Sequence, residues 1–439
     1  MSPEALGILL LVVLLTSIFL GFPISFTLII CGLVFGYIGF GDVVFSLMVM
    51  QTMGFMKEET LAAVPLFIFM GYILERTGLM ERLFRGFQMV MGPVRGSLYL
   101  AVLVVATIFA MATGIIGAPV AVIGLMATPI MMRSKYDVRL SAGVITAGGC
   151  LGILIPPSVM LVVMGPIANV SVVKLMAAAV IPGLILSGIY IVYTMIRCYL
   201  DPKLGPPLPP EERAGSFLKG LRELSVGILP PLVLIMACLG SILFGLATPT
   251  EGAAMGALGA VVLGLVNRKL DWQKIKESTL STVEVSSMVL FLGMAANVYG
   301  AVFSRLGTGD LIISSLLGLP LPPMGIIIVI MVIVFLLGWP LEWPAIIFIF
   351  LPMFIPVVEK LGYNILWFCI LVAVNLQTAF LSPPVAVAAY YLKGVAPSYE
   401  LWDIYAGMVQ FMILQIVGLA IIILFPQTVF WLPALLFGK

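Results

Sequence analysis

The residues that interrupt apolar stretches are the part of this sequence most able to do chemistry. Each of two proline pairs lies inside a long apolar run, with a serine directly beside it. Proline has no backbone N–H and disfavours helical geometry in the residue before it, so each pair frees backbone carbonyls. In hydrocarbon, freed carbonyls need partners, and exposed helix ends offer carbonyls to cations and N–H groups to anions. We therefore predict a binding site, rather than a simple kink, at Pro156, Pro157, Ser158, Ser382, Pro383 and Pro384.

A second pair of breaks precedes these proline motifs, at residues 112–119 and 337–344. Their content of glycine and proline is typical of a re-entrant tip or an unwound helix. Glu342 is a costly residue there unless it meets a cation, a proton or cavity water. Alternatively, Glu342 lies at the membrane interface and caps the helix that follows. The candidate binding residues of these two breaks are Thr113, Gly114, Gly117, Gly338 and Glu342.

Other polar residues allow more than one interpretation. Asn297, Asn375 and Gln377 lie in apolar runs and can coordinate a ligand, but buried amides often only hold membrane helices together. Glu251 follows Thr248 and a proline, which predicts a carboxylate at a helix N-terminus facing water. Histidine is absent and no cysteines form a CxxC pair, so the sequence predicts no metal framework, disulfide or organic cofactor.

The elements that position these residues are transmembrane helices. Hydrophobic residues make up 62% of the chain and charged residues 10%, whereas soluble domains carry about 25% charged residues. The apolar runs reach roughly 17 to 25 residues, enough to cross about 30 Å of hydrocarbon. About 11 to 14 spanning or half-spanning pieces are expected. We predict an all-α polytopic membrane protein in the lipid bilayer, and no basic aromatic patch suggests nucleic acid.

Charge along the chain predicts its orientation. Residues 197–222 and 267–277 are rich in Lys and Arg, whereas the intervening turn at 245–252 contains neither. Two apolar helices separate the basic segments, so both lie on one side. The positive-inside rule predicts that this side is cytoplasmic.

A weak internal repeat relates two parts of the chain. The run GCLGILIPPSVMLVV aligns with LQTAFLSPPVAVAAY, and residues 75–78 fall near 304–307 with a two-residue slip. Carriers are often built from two copies of one unit. We predict N-terminal scaffold helices at 1–60, a first repeat at 61–196, a cytoplasmic loop at 197–223, linking helices at 224–283 and a second repeat at 284–439.

Five stretches in order resemble a known family. They are VPLFIFMG from Val64, the region around Gly114, LGILIPPS from Leu151, ATPTEGAA from Ala247 and LSPPV from Leu381. Together they resemble the large membrane subunit of tripartite ATP-independent periplasmic (TRAP) transporters for dicarboxylates and related acids, over nearly the whole chain.

The resemblance implies a sodium-driven elevator carrier of two inverted-topology repeats, with re-entrant hairpins and unwound transmembrane helices. It also implies a small four-helix membrane subunit, a soluble periplasmic binding protein, a small carboxylate substrate and a location in the bacterial inner membrane. The hairpin tips and unwound helices would form the ion and substrate sites. Sodium would meet backbone carbonyls near Thr113, Gly114, Pro156, Gly338 and Ser382.

The chain departs from the family pattern at several positions. Ile115 and Ile116 stand where the family often has two serines, Glu342 where it often has Asp, and Ala386 ends a motif that often ends in Gly. The isoleucines remove hydroxyl ligands but keep the backbone carbonyls. One hypothesis is a less polar substrate, such as an aromatic or aliphatic monocarboxylate.

Other functions remain open from the residues alone. No GxxxxGK[ST] loop is present, so an ATP motor of the usual kind is not expected. An intramembrane aspartyl protease would use Asp137 and Asp310, in YD and GxGD motifs, and needs two aspartates that share a proton. The flanking basic residues instead suggest that Asp137 lies at a water interface. A one-component cation/carboxylate symporter is the closer alternative, whereas an enzyme is not expected.

Overall fold

The structure, a computed structural model, describes residues 2–114, 116–208, 217–383 and 386–438, apart from the side chains of residues 112, 113 and 217–219. Within these ranges every regular element is a helix and no strand occurs, which confirms the all-α prediction. Pro384 and Ile115 lie outside the described residues.

In the described part of the chain, six helices are long and apolar enough to cross a membrane, or seven if the bent pair Glu59–Glu75 and Leu79–Met91, which meet at 55°, counts as one span. The other apolar helices have 10–17 residues, too few for most to cross about 30 Å of hydrocarbon alone. The predicted pieces therefore divide into full spans and shorter helices. Glycine and proline breaks account for much of this division, because they end helices inside apolar sequence.

Three N-terminal helices precede the first repeated unit: α1 (Pro3–Phe19), α2 (Ile24–Phe40) and α3 (Val43–Met56). Helix α2 packs along a long helix of the second half, α14 (Trp272–Arg305). Gly32 of α2 lies against the backbone of Tyr299 in that helix.

The first half contains a helix, a hairpin and a broken helix in succession. A 3-10 turn at Glu59–Ala62 leads into it, and a second one at Leu151–Ile153 begins the break. Its helices are α4 (Ala63–Glu75), α5 (Leu79–Met91), α6 (Ser97–Thr113), α7 (Gly117–Arg133), α8 (Val138–Cys150), α9 (Val159–Ala168) and α10 (Val172–Leu200).

Linking helices follow the polar connection. They are α11 (Phe217–Ile235), continued by a π-helical turn at Met236–Gly240, α12 (Ser241–Leu243) and α13 (Pro249–Val266). The Thr248 backbone N–H donates to the Glu251 carboxylate over 2.8 Å, and the Glu251 N–H donates to the Thr248 hydroxyl over 3.3 Å. This exposed capping box confirms that Glu251 is a carboxylate at a helix N-terminus.

The second half repeats the same order of elements. After α14 its helices are α15 (Thr308–Leu317), α16 (Pro323–Leu337), α17 (Trp343–Ala345), α18 (Leu351–Lys360), α19 (Ile365–Ala379), α20 (Val387–Val395), α21 (Leu401–Leu424) and α22 (Gln427–Phe437). The turn between the hairpin arms leads through α17 and a π-helical turn at Ile346–Phe350 into α18.

The two halves correspond at the turn that ends their first helix. Gly78 follows α4 with φ 67°, and Gly307 follows α14 with φ 76°, so both turns use left-handed glycine. This matches the alignment of residues 75–78 with 304–307. Three predicted boundaries fall inside α-helices, since α10 extends to Leu200, α11 begins at Phe217 and α14 continues across residues 283–284. The domain division itself stays a prediction.

Helices α8 and α21 hold the two halves together at close range. A Cβ at Gly407 would lie 2.0 Å from the Arg139 carbonyl oxygen, so only glycine permits this approach. At the end of the same interface, the Arg139 guanidinium donates to the Asp403 carboxylate over 2.8 Å. Helices from the two halves are therefore in direct contact at this interface.

Candidate functional site

The first hairpin tip lies against the broken helix of its own half. Gly114 ends α6 with φ 63°, a left-handed conformation that favours glycine. A Cβ there would lie 3.3 Å from both the Pro157 carbonyl oxygen and the Val159 nitrogen. Gly117 begins α7, and its Cβ would lie 2.9 Å from Cζ of Tyr391 in the second half. The tip therefore touches both halves through glycines.

The first broken helix ends in an internally bonded serine. After the 3-10 turn the backbone is irregular until α9 begins at Val159, and the Pro156–Pro157 peptide is cis. Ser158 is fully buried, and its hydroxyl donates to the Ile153 carbonyl. The break thus satisfies one of its freed carbonyls from its own side chain.

The second hairpin tip places a carboxylate where the first has apolar residues. A Cβ at Gly338 would lie 2.7 Å from the Cβ of Ala379, so this tip also packs on the broken helix of its half. Glu342 precedes α17 in the N-cap position, but among the described residues its side chain accepts no capping N–H. Its carboxylate lines a cavity instead, so the interpretation of Glu342 as a helix cap is wrong.

The second broken helix uses the same serine bond. The Ser382 hydroxyl, buried like that of Ser158, donates to the Thr378 carbonyl over 2.7 Å. Pro383 is half-buried, and Pro384 falls outside the described residues. Both broken helices therefore close with a buried hydroxyl rather than leaving it free.

The candidate amides have separate structural roles. Asn375 donates to the Met331 carbonyl over 2.7 Å and joins α19 to α16, while Asn297 donates to the Gln51 carbonyl over 3.1 Å and joins α14 to α3. These two amides hold helices together. Gln377 is fully buried, and neither atom of its amide has a hydrogen-bond partner within the described part of the chain.

A cavity of about 490 Å³ brings the two hairpin tips together. Of the predicted residues it is lined by Gly114, Gly117 and Glu342. Gly338, the two serines and the described residues of the proline pairs do not line it. Besides those three, the lining includes Tyr72, Glu75, Glu284, Trp343, Val387 and Tyr391.

Four polar lining residues were not among the predicted site residues: Tyr72, Glu75, Glu284 and Tyr391. Glu284 lies in an apolar run of α14, where an ionisable residue indicates a functional site, so that signal was available. Glu75 belongs to the segment used for the repeat alignment. Tyr72 and Tyr391 gave no sequence signal, because nothing distinguishes a cavity tyrosine from one in the core.

A second cavity, of about 530 Å³, lies farther along α14. It is lined by Asn297 and Ser304 near the C-terminal end of α14, whereas the first cavity meets Glu284 and Met288 closer to the N-terminal end. Asp310 also lines the second cavity, while Asp137 accepts the Leu140 N–H over 2.8 Å as the cap of α8. The two aspartates of the protease hypothesis therefore have different surroundings.

Metal-binding side chains do not cluster in the described residues. No group of three or more His, Cys, Asp or Glu side chains there is placed to hold a metal ion. All five cysteines are buried and free.

Comparison with known proteins confirms the resemblance to the large membrane subunit of TRAP transporters. The family model described as "Tripartite ATP-independent periplasmic transporter, DctM component" matches residues 11–428. The chain is 28% identical to the sialic acid TRAP transporter large permease protein SiaM of Vibrio cholerae, covering 96% of this chain and 97% of that protein. It is 31% identical to the C4-dicarboxylate TRAP transporter large permease protein DctM of Pseudomonas aeruginosa, covering 77% and 78%.

The fold has a solved counterpart as well. The YdaH transporter of Alcanivorax borkumensis, whose topology is described as unusual, superposes with a TM-score of 0.61 over 87% of this chain and 88% of that chain. At 14% identity this likeness concerns the fold alone. The family matched by residues 11–428 is one of transporter permeases and not of enzymes. This multi-pass membrane chain belongs to the DctM component family of tripartite ATP-independent periplasmic transporters.

Proposed function

We propose that this chain is the transport subunit of a sodium-coupled system that takes up small organic acids across the bacterial inner membrane. Its partners are a small four-helix membrane subunit and a soluble periplasmic binding protein. One observation carries the proposal: a cavity of about 490 Å³, within the usual size range of small-molecule sites, lies where both hairpin tips meet. Two relatives are named for sialic acid and for C4-dicarboxylates, which are carboxylic acids.

Backbone geometry supports binding of both an anion and a cation. The first N–H groups of a helix have no intrahelical partner, and those of Gly117 and Ala118 begin α7 at the cavity. The broken helices free carbonyls, which suit Na⁺. The substrate carboxylate would meet α7, and sodium would meet carbonyls near Thr113, Gly114, Pro156, Gly338 and Ser382.

Two cavities at different heights along α14 support alternating access. The first lies at the middle of this helix and the second toward its C-terminal end, and their nearest lining residues, Val289 and Ala296, are separated by about 10 Å along the helix, at 1.5 Å per residue. Hairpin α16–α18 contributes Glu342 to one cavity and Met353 to the other. Movement of the hairpins and broken helices past α14, as in an elevator of two inverted repeats, would carry substrate between the two sides.

Reconstitution tests the proposal. The chain, its candidate small subunit and its binding protein are placed in liposomes, and uptake of labelled organic acids is measured with and without an inward sodium gradient. Gradient-dependent uptake that needs all three components is expected. Uptake by the chain alone would support a one-component symporter, and uptake driven only by a pH gradient would contradict sodium coupling.

A further inference from the structure

The charge of the hairpin cavity is unusual for a carrier of anions. Three carboxylates line it, from Glu75, Glu284 and Glu342, while its described lining contains no Lys or Arg. Arg76 is next to Glu75 in sequence, but its guanidinium is paired with Glu277. Arg76 also acts electrostatically on Glu75, but it lies outside the lining, so a solute with only negative charge would meet three carboxylates and no cationic side chain in the cavity wall.

Aromatic side chains lie among these carboxylates. Tyr72 is within electrostatic range of Glu75, Glu284 and Tyr391, and Tyr391 is within range of Glu342. Trp343 lines the same space. Carboxylates interspersed with aromatic faces form an environment that attracts an organic cation, through charge pairing and cation–π contact.

Hydrogen-bond donors for an anionic group lie at the first hairpin tip. The N-terminus of the 17-residue helix α7 opens on the cavity at Gly117 and Ala118. Pro119 has no N–H and the Val120 N–H donates to the Ile116 carbonyl, so the donors of this first turn without a partner inside the helix are those of Gly117 and Ala118. One cavity therefore combines a place for an anionic group with a larger acidic and aromatic region.

We infer that the cavity selects zwitterionic organic acids, which carry a cationic nitrogen besides the acid group. The acid group lies at the N-terminus of α7, and the nitrogen lies among Glu75, Glu284, Glu342 and the aromatic rings. This inference rests on the proposed function and narrows its substrate class. This chain is then expected to prefer zwitterions over dicarboxylates and monocarboxylates that carry no cationic group.

Matched solutes test the charge requirement directly. Each set contains a zwitterion, the acid without its amine and the amine without its acid: leucine, 4-methylpentanoate and isopentylamine; phenylalanine, 3-phenylpropanoate and phenethylamine. A third set consists of glycine betaine, 3,3-dimethylbutanoate, in which carbon replaces the quaternary nitrogen, and choline, which keeps the nitrogen but has no carboxylate. Binding to the membrane complex used for uptake is measured by thermal stabilisation in sodium and in potassium buffers.

At least one zwitterion is expected to bind about tenfold more tightly than the acid and the amine of the same set. Glu342→Gln and Glu284→Gln should each reduce this preference, because each removes one charge that faces the nitrogen. Glu359→Gln is the matched control, since Glu359 lies exposed on α18 and does not line the cavity.

Two outcomes would overturn the inference and leave the carrier intact. If the amine-free acids bind as tightly as the zwitterions in sodium buffer, then sodium ions alone neutralise the carboxylates. If no zwitterion binds although the liposomes take up an organic acid, the cavity does not select this class. Loss of all sodium-dependent uptake is a different result, because it contradicts the proposed function.

Discussion

The two hairpin tips share a packing arrangement but differ in chemistry. Gly114 packs on Pro157 and Val159, and Gly338 packs on Ala379, so each tip places a glycine against the broken helix of its own half. Gly114 is left-handed, with φ 63°, whereas Gly338 has φ −65°. Only the second tip brings a carboxylate, Glu342, to the cavity. The repeat keeps the close contact that shapes the site, while the two tips provide different ligands.

Replacing Gly114 tests the shared contact and should have the largest effect. In Gly114→Ala the added Cβ meets two backbone atoms at 3.3 Å, and left-handed geometry costs about 1–2 kcal/mol for an L-residue. Sodium-driven uptake should fall to background. Gly307→Ala is the control, because Gly307 has the same left-handed backbone, with φ 76° and ψ 6°, and its Cβ would meet only Cγ of Glu4, at 3.8 Å. If both variants lose uptake equally, backbone strain and not tip packing is responsible.

Removing the Glu342 charge tests the difference between the tips. Glu342→Gln keeps the size of the side chain, which caps no helix, so folding should change little. Uptake should fall by about tenfold or more, as expected when a charge that faces a ligand is lost. Melting temperature and initial uptake rate are compared with those of Glu359→Gln. Wild-type uptake by Glu342→Gln would show that the second tip acts through its backbone alone.

Substituting the two serines compares the broken helices. Ser158→Ala and Ser382→Ala each remove a buried hydroxyl that donates to a carbonyl of the preceding turn. Each should lower the free energy of unfolding by about 1–3 kcal/mol, since the carbonyl loses its buried partner. Thermal unfolding measures this, with Ser225→Ala as the control, whose hydroxyl makes the same kind of bond on an exposed helix surface. Unequal losses would show that the two breaks are not equivalent.

Breaking the ion pair between Arg76 and Glu277, near the N-terminal end of α14, should have the smallest effect on stability and uptake. Arg76 and Glu277 join α4 to its counterpart α14, with 26% and 44% of their side chains exposed. Exposure screens the pair, so a double-mutant cycle of Arg76→Ala and Glu277→Ala should give a coupling of about 0.2–1 kcal/mol. Uptake should remain near wild type. A large loss of uptake in either single variant would mean that Arg76 acts on the cavity carboxylates.

Part of the site was predictable because its signals are local. Proline and glycine act on the backbone of their immediate neighbours, so residues 112–119, 151–158, 337–344 and 381–386 were recognised as breaks before any contact was known. The capping box at Glu251 is local in the same way. Glu342 was identified as a candidate, but the choice between a carboxylate that faces a ligand and one that caps a helix depended on its surroundings.

Apolar composition, the α-helical class, the positions of the breaks and the order of the repeat were determined by the sequence alone, because each depends on residue type and short spacing. Tertiary structure decided which residues share a cavity. It brought Tyr72, Glu75, Glu284 and Tyr391 to the hairpin tips and left Ser158 and Ser382 bonded to backbone carbonyls outside the cavity lining. These relations depend on packing between helices distant in sequence, and local backbone preference carries no information about them.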